Sequence, residues 1–195
     1  VLFVGRVTVR PFGAFDDDQE GDLTRSPKPR LAIGVAGGFN KATSRDRSTH
    51  GAVYANGTFD YAHAAADLVF KWRGFSLLAE GMLRQANRDQ NQYTNADGNV
   101  VTEWSRSGFG YLIQAGHMVH PKVELTARWD DLHNRKGTDP ALVRLVDTIG
   151  RQLGGGLNVY LNGHYLKFQT DYFYIFGEQF RHANHSFRVQ VDATF

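Results

Sequence analysis

Phe187-Arg188-Val189-Gln190-Val191-Asp192-Ala193-Thr194-Phe195 is the stretch that decides the fold. Phe187, Val189, Val191, Ala193 and Phe195 fall on one set of alternate positions, and Arg188, Gln190, Asp192 and Thr194 on the other. A β-strand points successive side chains to opposite faces, so this segment makes a strand with one greasy face and one polar face.

The same period of two recurs upstream. Leu166, Phe168, Tyr172 and Tyr174 oppose Lys167, Gln169 and Asp171, while Leu153, Leu157, Val159 and Leu161 oppose Gln152, Asn158 and Asn162. Val123, Leu125, Ala127 and Trp129 oppose Lys122, Glu124, Arg128 and Asp130. Further strands read at 109–115, at Phe75–Leu83, at Leu68–Trp72 and at 31–39, where the apolar residues face Ala and Gly. The opening segment sets Phe3, Val7 and Val9 against Arg6, Thr8 and Arg10. These make nine strands, and the chain is long enough for each to have the roughly 9–11 residues that a tilted strand needs to cross a bilayer.

The connections alternate in length. Short ones sit at Arg73-Gly74-Phe75, at His120-Pro121-Lys122 and at Asn162-Gly163, the last expected to form a type I′ hairpin turn. Long polar ones occupy about 41–64, 86–105, 131–148 and 177–185. Short turns on one side and long loops on the other is the asymmetry of outer-membrane barrels. The connection at 13–30 breaks it, being long where a short turn belongs.

The fold class expected is therefore all-β: an antiparallel transmembrane β-barrel segment with no separate soluble domain. An odd strand count leaves two unpaired edges, and such edges are costly in lipid. The chain opens on Val1-Leu2-Phe3-Val4 rather than on Met or a signal peptide. Both points lead us to expect upstream strands, these nine being about half of a barrel of 16–18.

Composition narrows the alternatives. With no cysteine, disulfide frameworks, thiolate metal sites and cysteine nucleophiles are excluded. Basic and acidic residues number 22 and 20, which argues against a nucleic-acid surface. No apolar run reaches the length of a transmembrane helix, and barrel strands give only a weak hydropathy signal; a mean hydropathy of −0.41 fits a barrel and a soluble protein equally. No cofactor is expected.

Two stretches carry a family resemblance. One runs from Gly5-Arg6-Val7 through Pro11-Phe12-Gly13 to Glu20-Gly21-Asp22-Leu23 and Lys28-Pro29. The other is Gly154-Gly155-Gly156-Leu157-Asn158-Val159-Tyr160-Leu161-Asn162-Gly163, continuing to Tyr172. With the closing strand, they resemble the C-terminal part of the phosphate-selective porin O/P family. Phe187, Val189, Val191, Ala193 and Phe195 also look like the signal read by the barrel-assembly machinery of the bacterial outer membrane. The resemblance implies that outer-membrane address, lipid around the wall, a water-filled pore for small polar or anionic solutes, and a homotrimer. Another barrel-completing chain is the alternative partner.

On this alternation the candidate pore-lining cations are Arg6, Arg10, Lys71, Arg73, Arg84, Lys122, Arg128, Lys167 and Arg188, set against Asp67, Glu80, Glu124, Asp130, Asp171 and Asp192. The basic excess would draw anions into the pore. The plainer reading is that these charges pair across strands and solvate the wall. Trp72, Phe75, Trp129, Tyr172, Tyr174, Phe176, Phe187 and Phe195 fall near strand ends, where aromatic rings form interfacial girdles.

Asp16, Asp18, Glu20 and Gly21 copy the first half of an EF-hand loop, but its twelfth position is Pro27, so a solvated acidic turn is expected. The pairs His117/His120 and His182/His185 would sit on opposite strand faces, poor for one metal. No nucleophile–base signature suggests an enzyme. Beside the passive channel stand two other readings: a plugged or structural barrel whose loops at 41–64 and 86–105 bind partners, and a soluble ligand-binding β-barrel with its greasy face inward.

Overall fold

The computed structural model describes residues 1–47, 50–177 and 184–194. In chain order the elements are β1 (Leu2–Val9), β2 (Arg30–Thr43), β3 (Arg45–Arg47), β4 (His50–Val53), β5 (Phe59–Trp72), β6 (Phe75–Ala86), β7 (Gln90–Thr94), β8 (Val100–Trp104), β9 (Gly108–His120), β10 (Val123–Asn134), α1 (Pro140–Ile149), β11 (Arg151–Asn162), β12 (Leu166–Phe176) and β13 (Asn184–Ala193). Nine of the strands form one sheet in the order β1-β2-β5-β6-β9-β10-β11-β12-β13, every pair antiparallel. These are the nine strands that the alternation marks. The sheet is open: it does not close into a barrel, and β1 and β13 are its edges.

Register carries the alternation across the whole sheet. Leu31, Phe70, Leu77, Ala115, Ala127, Gly155, Tyr172 and Phe187 lie side by side in a single row over eight strands. One residue away runs the polar row Arg30, Lys71, Ser76, Gly116, Thr126, Gly156, Asp171 and Arg188. A slip of one residue in any strand would exchange its two faces. The greasy face is the uncovered one, with Leu125 50% and Val191 64% exposed. We call it the outer face, and the polar one the inner face.

The tightest connection differs from the expectation. Arg73 (φ 51°) and Gly74 (φ 85°) both sit in the left-handed region, and Trp72 pairs with Phe75 across them. This is the two-residue type I′ hairpin, whose positive φ values match the twist of the flanking strands. At Asn162-Gly163 only the glycine has positive φ among these two, and the strands rejoin at the pair Asn162–Leu166 after a register shift. A three-residue loop there accommodates an irregularity that a I′ turn cannot.

The long connections hold structure of their own. The strands β2 and β5 extend into the 41–64 segment, which also carries β3–β4, and 86–105 folds as the hairpin β7–β8. Within 131–148, read above as a polar loop, lies most of α1. Asp139 caps it by accepting from the Ala141 N–H at 2.8 Å, and Pro140 occupies its first turn. Leu142, Leu145, Val146 and Ile149 follow at helical spacing.

Candidate functional site

The inner face is covered at both ends and open between them. At the short-turn end the cover is the 13–30 connection, which folds as a strap across the sheet. It is more than a solvated acidic turn. Asp22 is 1% exposed; its Oδ2 accepts from the Gly74 N–H at 2.8 Å, and its Oδ1 from the Ser26 N–H and hydroxyl. Arg25 donates to the Met118 carbonyl at 2.7 Å, and the Arg73 N–H to the Ser26 carbonyl at 2.9 Å. Lys71, buried on β5, donates its Nζ to the Asp16 carbonyl at 2.8 Å. Gln114 of β9 reaches Glu20 at 2.6 Å. Arg10 holds Asp17 through both Nε and Nη2, and this pairing keeps the Asp17 carboxyl below its ordinary range against the opposing effect of burial.

Beneath the strap lies a buried carboxylate. Glu124 accepts from the Tyr160 hydroxyl at 2.6 Å, from Asn158 Nδ2 at 3.0 Å and from the Ser76 hydroxyl at 3.3 Å. Three donors offset the desolvation of a charge taken out of water. The acidic run of the strap is thus dispersed over Arg10, Gln114 and the β5–β6 turn. Among the described residues no group of three or more His, Asp or Glu is disposed to hold a metal ion.

At the other end the long loops interlock over the inner face. Arg106 bridges Asp46 (3.0 Å) and Asp139 (2.8 Å), tying together the β2–β5, β6–β9 and β10–α1 connections. Tyr54, Phe59, Tyr61 and Ala86 form a buried cluster, the Tyr54 and Tyr61 hydroxyls lying 3.1 Å apart. Burial and the Tyr61 hydroxyl push the Tyr54 phenol far above its ordinary pKa, so it stays protonated.

The nine candidate cations distribute unequally. Arg6 pairs with Asp67 (2.8 Å), Arg10 with Asp17 (2.8 Å), Arg128 with Asp130 (2.7 Å) and Lys167 with Asp192 (3.3 Å). The Arg6–Asp67 pair reaches from β1 to β5 over β2, and a side chain at Gly34 would occupy its place. Arg84 lies 3.7 Å from the ring centroid of Tyr61, and Arg188 4.1 Å from that of Phe173. Lys71 is under the strap. Arg73 sits in the hairpin turn with its guanidinium 5.1 Å from the Trp72 ring, and Lys122 in the next turn, 3.4 Å from the Leu161 carbonyl. These last two lie at the rim of the sheet.

The aromatic residues fall into groups on the outer-face positions, but Phe176 is buried at 1% exposed, so it packs within the protein rather than standing in an interfacial girdle. Trp72 and Phe75 flank the Arg73-Gly74 turn, and at the long-loop end Phe176 contacts both Trp129 and Tyr174, with ring centroids 5.9 Å (Trp129–Phe176) and 5.2 Å (Tyr174–Phe176) apart. Tyr172 and Phe187 pair between them; Phe195, in the assembly-signal reading as well as the girdle, lies outside the described residues, as does His182. One polar cluster interrupts the outer face and escapes sequence reasoning: Asp131 takes Tyr111 (3.2 Å), His133 (3.1 Å) and Arg151 (3.2 Å).

Comparisons of this chain with protein-family models, with curated proteins and with solved structures find no match.

Proposed function

We propose that this chain is one side of the wall of a bacterial outer-membrane channel through which small polar solutes diffuse passively. The observation that carries the reading is the two-faced sheet. Its greasy rows are uncovered over the nine strands, while charges, strap and loops gather on the opposite face. Soluble monomers rarely leave apolar patches beyond a few hundred Å² in water. Acyl chains are the solvent that suits such a surface, and antiparallel strands satisfy their own backbone within lipid. In a soluble barrel with its greasy face inward, the apolar rows would instead be the packed ones.

The strap covers the inner face at the short-turn end, where it would narrow a passage running along that face. Four of the nine cations are neutralised by carboxylates and Lys71 is buried under the strap, so any anion preference rests on Arg84 and Arg188, set against Glu80 and Asp171 on the same face. The resemblance to phosphate-selective porin O/P proteins and the trimer that it implies belong to this proposal. The test is direct. The full-length protein should require detergent, change gel mobility on boiling, and give stepwise conductance in planar bilayers. A protein that stays in solution without detergent, or a folded barrel that passes no current, would reject it.

A further inference from the structure

Between strap and loop cover the inner face holds an open-sided cavity of about 780 Å³. It exists because small residues share two adjacent levels of the sheet. Ala36, Ala65 and Gly110 lie beside Met82, and Gly38 and Gly108 beside His63 and Arg84. No side chain rises from those positions to fill the space.

What surrounds it is not what a passive aqueous path needs. Met82 is 62% exposed, and Val4, Leu112, Leu132 and, from α1, Leu142 join it. An apolar surface facing water is unfavourable by about 25 cal/mol per Å². At one end stands Arg84, whose Nε and Nη2 are buried with no hydrogen-bond acceptor among the described residues. Its charge rests on the Tyr61 ring; among the described residues no carboxylate lies within ion-pair distance, unlike for Arg6, Arg10 and Arg128, and Asp46 acts on it only through space. Glu80 lines the far end, four residues along β6, or about 13 Å at strand rise. The apolar zone and the Arg84 cation are therefore adjacent, and the acidic end, Glu80 with Asp130, is apart.

We infer that this cavity is a binding site for a small organic monocarboxylate with an apolar body, its carboxylate at Arg84 and its hydrocarbon over Met82 and Leu132. The inference deepens the channel reading and rests on it for entry from water. A carboxylate supplies the acceptors that the guanidinium lacks once Nε and Nη2, closed to solvent here, turn toward the cavity, and the hydrocarbon removes water from the apolar wall. Inorganic phosphate offers the charge without the body, and a neutral alcohol the body without the charge. Neither satisfies both features.

Met82 and Met118 provide the readout, since Met118 is buried beneath the strap, outside the cavity. With ¹³C-methyl methionine in the full-length protein in detergent micelles, benzoate should shift the Met82 methyl saturably and leave Met118 unmoved. Phosphate and benzyl alcohol should each bind at least tenfold more weakly. Arg84→Gln should weaken benzoate about tenfold, as expected for a lost charge-assisted hydrogen bond, and Arg84→Lys should recover part of it. An unshifted Met118 resonance certifies that the variant is folded; should Arg84→Gln fail that check, Leu132→Gln in the intact arginine background must weaken benzoate instead, read at the Met82 methyl. Equal binding of benzyl alcohol, equal binding of phosphate, or no Met82 response to benzoate overturns the inference. Conductance in planar bilayers is scored separately. A conducting protein blind to benzoate removes this site alone, and a non-conducting protein that binds benzoate removes the channel alone.

Discussion

The Asp22 carboxylate accepts the backbone N–H of Gly74 across 52 residues of sequence, at 2.8 Å and out of contact with solvent. One side chain thereby holds the strap to the tightest hairpin of the sheet. Removing a buried acceptor strands its donors, here the Gly74 N–H and the two groups of Ser26, at about 1–3 kcal/mol. Asp22→Ala should release the strap while the sheet persists. Limited proteolysis should then cut within 13–30, and single-channel conductance should rise. Unchanged protection of the strap would show that its other contacts suffice.

The strap's second tether depends on pH in a defined direction. Arg10 keeps Asp17 ionised below its ordinary value of 3.8, so the tether contributes fully above that value and is lost as pH falls through the lowered one. Hydrogen exchange at residues 14–18 should be flat from pH 7 to about 5, after correction for intrinsic rates, and should rise only in strong acid. Asp17→Asn should show the acid-state protection at every pH. A transition near neutrality would assign the tether to another group.

Much of the fold was legible because period two survives wherever one strand face meets a different solvent from the other. All nine sheet strands show it, down to the weak segment at 31–39, where Ala32, Gly34 and Ala36 oppose Ile33 and Val35. What escaped was whatever depends on contacts distant in sequence. The strap reads as acidic and solvated because its partners, Gly74, Met118 and Gln114, are 52 or more residues away. Arg73-Gly74 hides a I′ turn because arginine rarely takes positive φ; the Asn-Gly pair has the better turn chemistry and a register shift that forbids it. The helix α1 was readable from Asp139-Pro140 and the Leu142, Val146, Ile149 spacing, signals masked by its polar neighbours. The cavity was not, since small residues read as weak strand positions in one dimension and become an empty floor only when three strands align them.

Gly34 tests whether that alignment is selected by charge. Its bare Cα lets the Arg6–Asp67 pair close over β2 at 2.8 Å. Gly34→Val should expel the pair, although valine favours strands. The pair is partly exposed and contributes about 1 kcal/mol or less, so stability should change little. Ion selectivity in a bilayer should shift instead, as one arginine and one aspartate are freed into the lumen. Unaltered reversal potentials in a salt gradient would mean the pair lies off the conduction path.

The two faces of β13 give the sharpest contrast. Val189 belongs to the outer set and Gln190 to the inner, one residue apart and paired with Thr170 and Gln169 of β12. If lipid covers the outer face, an arginine at Val189 costs about 2–4 kcal/mol near the bilayer midplane and far less toward the interfaces. Gln190→Arg, facing water, should cost almost nothing. Folding into lipid vesicles, followed by the heat-sensitive gel shift, should thus fail or slow for Val189→Arg and proceed for Gln190→Arg. In water both positions are exposed and the two variants would behave alike. Equal folding of both in vesicles would place neither face against acyl chains, and would return the greasy rows to some protein surface that covers them.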